Sequence, residues 1–172
     1  MNDTNKSRPG DTPSGPESLA MKVGAVNQAP ADPNELRITL DIEGGSPADR
    51  YELHVAATGS GDVESGMKDR LRQLDLAPRV GQAQTEEVAE VLKRLDVAQM
   101  IALRSETPPI PPDSTVGVIT ISDGSQEVSI PFMADPGQAE AAGFELPADL
   151  AQAIEAIYEI AARQLDVETV KP

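Results

Sequence analysis

Two alternating runs, Val116–Ser122 (VGVITIS) and Ser125–Phe132 (SQEVSIPF), flank the dipeptide Asp123-Gly124, and they constrain this chain more than any other stretch. Period-two alternation rich in β-branched residues specifies half-buried strands. Asp-Gly between such runs is a favoured two-residue hairpin turn, because both central residues take positive φ. That turn pairs Ser122 with Ser125. It sets Ile121 across from Gln126, Ile119 across from Val128 and Gly117 across from Ile130. Ile119, Ile121, Val128, Ile130 and Phe132 then fall on one face, so turn chemistry and pattern agree. Pro131 has no N–H for a ladder, so it points outward or its strand is an edge. A hairpin with one apolar face needs a cover, which the rest of the chain must supply.

Arg37–Glu43 alternates with Ile38, Leu40 and Ile42 on one side, and Gly44-Gly45-Ser46-Pro47 breaks the run. Tyr51, Leu53 and Val55 alternate with Glu52 and His54, giving a second strand expected to lie antiparallel to the first. Residues 59–66 (GSGDVESG) read as a loop. Met67, Leu71 and Leu74 have helical spacing up to Pro78. Thr85 is suited to cap a helix and Glu86 and Glu87 to its positive end; Val88, Val91, Leu92, Leu95 and Ala98 form a stripe, so a helix is expected over about 86–100. Pro108, Pro109, Pro111 and Pro112 stiffen the connection to the hairpin. Pro147 opens a last amphipathic helix, expected over about 147–165 with Leu150, Ile154, Ile157 and Ala161 inward. The expected class is therefore α+β: a mostly antiparallel sheet with two main helices on one face, in ββαββα order. Residues 1–34, rich in Pro, Gly, Ser and Asp, are expected to be a disordered tail, 35–165 a single domain and 166–172 a frayed end.

Composition narrows the chemistry. The 172 residues hold 29 acidic and 14 basic side chains, a formal charge of −15. Such a balance disfavours phosphate backbones and anionic membrane surfaces. There is no cysteine and a single histidine, His54, which removes disulfides, thiolate nucleophiles, Cys-based zinc sites and multi-His metal centres. His54 shares the polar side of its strand with Glu52 and Ala56, and no Gly-x-Ser-x-Gly elbow is present. Gly59-Ser60-Gly61 lacks the third glycine of a dinucleotide loop, and Asp62 and Glu64 would repel a pyrophosphate. The Asp-x-Asp-x-Asp-Gly calcium spacing is absent. No catalytic residue, metal ligand or cofactor-binding residue is assigned, and the expectation is a non-enzyme. No apolar segment long enough for a secretory signal or a membrane span occurs, so a cytoplasmic location is expected.

Three stretches carry a resemblance: Leu36–Gly45 (LRITLDIEGG), the Pro112-Asp113-Ser114 entry to the hairpin, and Glu145–Ala161 (ELPADLAQAIEAIYEIA). Their order resembles the emfourin family, small cytoplasmic proteins whose named member inhibits a thermolysin-like metalloprotease. The resemblance spans about residues 36–165. It implies an α+β fold and a function by occlusion, with a loop presented to the cleft of a protease. Transferred by position, Gly44 and Gly45 shape that loop, and Glu43, Ser46 and Asp49 form its rim as partner-binding residues. The chain departs from the family where Ser46 and Pro47 follow Gly-Gly in place of a bulky residue, and in its longer 58–84 region. The alternative expectation is a non-inhibitory adaptor whose acidic surface or N-terminal tail holds a basic protein partner.

Overall fold

The computed structural model describes residues 35–82, 91 and 95–172. Within them the elements run β1 (Arg37–Gly44), β2 (Tyr51–Thr58), β3 (Asp62–Asp69), β4 (Leu74–Gln82), α1 (Val97–Glu106), β5 (Val116–Ser122), β6 (Glu127–Met133), α2 (Pro136–Ala142) and α3 (Ala148–Leu165). Six strands form one antiparallel sheet in the order β4-β3-β2-β1-β5-β6. The fold is α+β with an antiparallel sheet, as expected. Among the described residues the order is ββββαββαα, which corrects the expected ββαββα. Among the described residues no helix is long and apolar enough to cross a membrane.

Alternation builds the core. Ile38, Leu40 and Ile42 of β1 lie opposite Ala57, Val55 and Leu53 of β2 on one side, and opposite Ile121, Ile119 and Gly117 of β5 on the other. All of these apolar side chains are buried. Each fully buried Leu, Ile or Val contributes roughly 1.5–3 kcal/mol relative to exposure, so this face decides the register. Helix α1 supplies Val97, Met100 and Leu103 to the same core, and α3 supplies Leu150, Ile154, Ile157 and Ala161. The last helix begins where the sequence places it, with Pro147 at its N-cap position.

The hairpin keeps its faces but not its turn. Ser122 pairs with Glu127, Ile121 with Val128, Ile119 with Ile130 and Gly117 with Phe132. Residues 123–126 form a four-residue loop, closed by Asp123 N donating to the Gln126 carbonyl at 3.1 Å. The Asp123 carboxylate accepts from Ser125 N and Gln126 N at 2.9 and 2.8 Å, an Asx-type closure that outcompetes the two-residue turn. The slip is two residues, so every side chain stays on its expected face. Strand β6 is a sheet edge and Pro131 on it is exposed, in line with its missing donor.

Two expectations fail between residues 59 and 78. Residues 62–69 are a strand and not a loop, with Val63, Ser65 and Met67 on the core face. Ser65 is completely buried, and this polar residue in the apolar series hid the alternation. The spacing of Met67, Leu71 and Leu74 is not helical: Leu71 sits in the turn to β4 and is 77 % exposed. Pro78 does not stop an element, for β4 is the other sheet edge and its ladder to β3 shifts register beside Ser65 and Met67. An edge strand with an irregular ladder tolerates a residue without N–H.

Within the helix expected over 86–100, Val91 is helical, and α1 starts at Val97, where Asp96 caps it by accepting from Gln99 N at 2.7 Å. Leu95 and Asp96, inside the expected helix, are not helical, and residues 83–90 and 92–94 lie outside the described residues. The expected tail over residues 1–34 also lies outside them. Helix α2, not anticipated, carries ordinary signals: Asp135 as N-cap, Pro136 at its start and Gly143 in the left-handed region at its end. Residues 166–172, expected to fray, are held in place. Val170 is fully buried, its carbonyl accepts from the Tyr51 hydroxyl, and Arg72 donates to the carbonyls of Thr169 and Lys171.

Candidate functional site

The helices cover one side of the sheet. The strand positions between the core residues face the other way, and there the exposed chemistry gathers. Asp41 lies opposite His54 and Glu43 opposite Glu52. Across β3, Glu52 meets Lys68 and His54 meets Gly66; across β5, Asp41 meets Val118 and Glu43 meets Val116. Together with Pro78 these residues line a concavity of about 510 Å³. Gly66 is its low point for a steric reason. A Cβ there would sit 3.2 Å from the Pro78 ring, so the glycine leaves room for Pro78 where the β3–β4 ladder shifts register.

Charge on this face is arranged in pairs. Glu43 and Glu52 stand directly opposite each other, a destabilising juxtaposition for like charges. Arg50, at the start of β2, resolves it: its guanidinium donates to Glu43 Oε1 at 2.5 Å and to Glu52 Oε1. That hydrogen bond, ahead of charge attraction, holds the Glu52 carboxyl below the usual glutamate range, and the same carboxylates raise Arg50. These groups are solvent-exposed, so the pairs add little to stability. Their role is to set the charge pattern of the face. His54 Nδ1 donates to Asp41 Oδ1 at 2.5 Å. The row through that pair reads Gly66, His54, Asp41, Val118, so neither flanking strand position carries a hydroxyl or thiol. The two side chains form a hydrogen-bonded surface pair, each about half exposed. Among the described residues no group of three or more His, Asp or Glu converges in a way that could hold a metal ion.

The five residues proposed from sequence divide between this face and the loop above it. Glu43 lines the concavity. Gly44 abuts Thr115, whose Cγ2 would lie 2.6 Å from an added Cβ. Gly45 has φ +84°, and a Cβ on it would meet the Asp49 carbonyl, so only glycine fits this bend. Ser46 N donates to Asp49 Oδ1 at 2.6 Å, Asp49 N returns to the Ser46 carbonyl at 3.1 Å, and the Ser46 hydroxyl also donates to Asp49. The Ser46 hydroxyl first, and its amide second, hold the Asp49 carboxyl below the usual aspartate range. Arg70 fastens the loop to the neighbouring turn by donating to the Pro47 carbonyl, while its amide donates to the Arg50 carbonyl at 3.0 Å. Residues 45–50 are all exposed. The loop is thus both solvent-facing and internally fixed.

Sequence reasoning missed Arg50, Lys68, Pro78, Val116 and Val118 as neighbours of Glu43. The signal for the two valines was present, since alternation that sends Gly117 and Ile119 inward sends Val116 and Val118 outward. Lys68 and Pro78 were illegible as sheet residues, because 59–66 read as a loop and Met67, Leu71 and Leu74 as helical spacing up to Pro78. A scan against protein-family models finds no match for this chain, and a search of curated proteins finds none either.

Proposed function

We propose that this protein acts by docking to another protein, as an inhibitor of a thermolysin-like metalloprotease, and that the Gly44–Arg50 loop occupies the protease cleft. One observation carries the reading: the loop is exposed along 45–50 yet pre-ordered by the Ser46–Asp49 hydrogen bonds and the left-handed Gly45. A loop already fixed in one conformation loses little entropy on binding, which is what tight occlusion of a cleft requires. The resemblance of the strand, hairpin and final helix to the emfourin family supports the same reading. It treats the protein as a cytoplasmic non-enzyme that needs no cofactor.

The test is titration of the purified full chain against thermolysin with a peptide substrate. Stoichiometric loss of turnover is the expected result. Asp49→Ala, which frees the loop, weakens inhibition about tenfold. Unchanged turnover at micromolar excess of the protein rejects the reading.

A further inference from the structure

We propose that the open face of the sheet, centred on the His54–Asp41 pair, is a second docking surface, and that its occupant is a protein segment presenting Lys or Arg between aliphatic side chains. The loop reading concerns Gly44–Arg50; this inference concerns the strands beneath and does not depend on it.

Shape and chemistry specify the partner together. The concavity of about 510 Å³ is bounded by Pro78 on the β4 side and by Val116 and Val118 on the β5 side. These walls suit aliphatic side chains. The lining carboxylates are Asp41, Glu43 and Glu52 against the one lining cation Lys68, and Glu64 stands outside the concavity, two residues from Gly66 on the same face of β3. Arg50 is already committed to Glu43 and Glu52. An incoming Lys or Arg therefore finds an excess of carboxylates on this exposed face.

Charge also selects among occupants. A second copy carries the same −15 and is repelled. The chain's own residues 1–34 hold Lys6, Arg8 and Lys22 against Asp3, Asp11, Glu17 and Asp32, a balance of 3 − 4 = −1, so they offer no basic excess. Nucleic acid and anionic lipid are repelled as well. A foreign basic segment is attracted from a distance by the whole molecule and held locally by the concavity.

The experiment uses the full chain and a fluorescein-labelled peptide, Ala-Val-Arg-Val-Lys-Val-Ala, followed by anisotropy. Saturable binding is expected at low salt, weakening at least about tenfold between roughly 20 and 300 mM NaCl. Asp41→Lys and Glu64→Lys, both exposed and each checked for an unchanged melting temperature, weaken binding about tenfold or more. Glu145→Lys, an identical charge change at an exposed position before α3, leaves affinity within about twofold. A peptide with glycine in place of each valine binds more weakly. The proposal is overturned by no binding at low salt, by Glu145→Lys weakening binding as much as Asp41→Lys, or by equal affinity for the glycine peptide.

Discussion

Gly117→Ala tests the hairpin register, because the two-residue and four-residue turns place different residues opposite Gly117. Gly117 lies opposite Phe132, and a Cβ there would sit 2.6 and 2.8 Å from the ring atoms Cε1 and Cε2. Carbon atoms normally approach to ~3.5–4.0 Å, so the ring would have to retreat by about 1 Å. It has little room, since Phe132 is 2 % exposed within the core. Overpacking of this kind costs ~1–3 kcal/mol. Replacing a strand glycine by alanine returns ~0.5–1 kcal/mol of backbone entropy, so overpacking wins and the net is about 1–2 kcal/mol of destabilisation. For a chain of this size that lowers the melting temperature by roughly 2–8 °C. Urea denaturation of a double-mutant cycle locates the cause. With Phe132→Leu the alanine is accommodated, and the two changes couple favourably by about 1 kcal/mol; with Ile130→Val they add to within ~0.5 kcal/mol. A neutral Gly117→Ala, or coupling to Ile130 in place of Phe132, would refute the four-residue turn and restore the two-residue register.

Two further outcomes are expected. Gln164 of α3 accepts from the buried Ser65 hydroxyl at 2.6 Å and donates to the carbonyls of Val63 and Arg79 at 2.8 and 3.0 Å, so Gln164→Leu should cost ~1–3 kcal/mol by urea denaturation. Adding Ser65→Ala should recover part of the loss, and failure to do so would show that the hydroxyl is not the group left stranded. Stability should also fall at both pH extremes. Asp49 and Asp123 have carboxyls depressed by hydrogen bonds, from Ser46 and from the Gln126 and Ser125 amides respectively. Their contribution is complete above the ordinary aspartate value of 3.8 and is lost as pH falls through the lower folded value. Burial raises the Tyr51 and Tyr158 phenols above 10.0, so their contribution is complete below that pH and is lost as pH rises past it. A urea midpoint measured against pH checks both limbs; an acid limb unchanged in the Asp49→Asn, Asp123→Asn double variant would contradict the assignment.

Local pattern by itself determined the elements whose burial is one-sided. Ile38, Leu40 and Ile42 in β1, the apolar series of β5 and β6, and the Leu150–Ala161 stripe of α3 each repeat with the period of their own backbone, and period needs no partner to be read. It also determined which side chains of the hairpin face inward, because a two-residue slip preserves the face. Other features depended on contacts distant in sequence. Ser65 can occupy a core position because Gln164, 99 residues away, satisfies its hydroxyl. Pro78 can lie within a strand because β4 is an edge, a property of sheet order and not of the residues around it. The turn at Asp123 was settled by a carboxylate closing on Ser125 and Gln126, chemistry visible in the sequence but competing with an equally visible alternative. The candidate surface shows the same division. Glu43 and the glycine bend were legible as a loop. The concavity itself needs side chains from β1, β2, β3 and β5 in register, with Pro78 of β4 against Gly66, and only the assembled sheet brings those together.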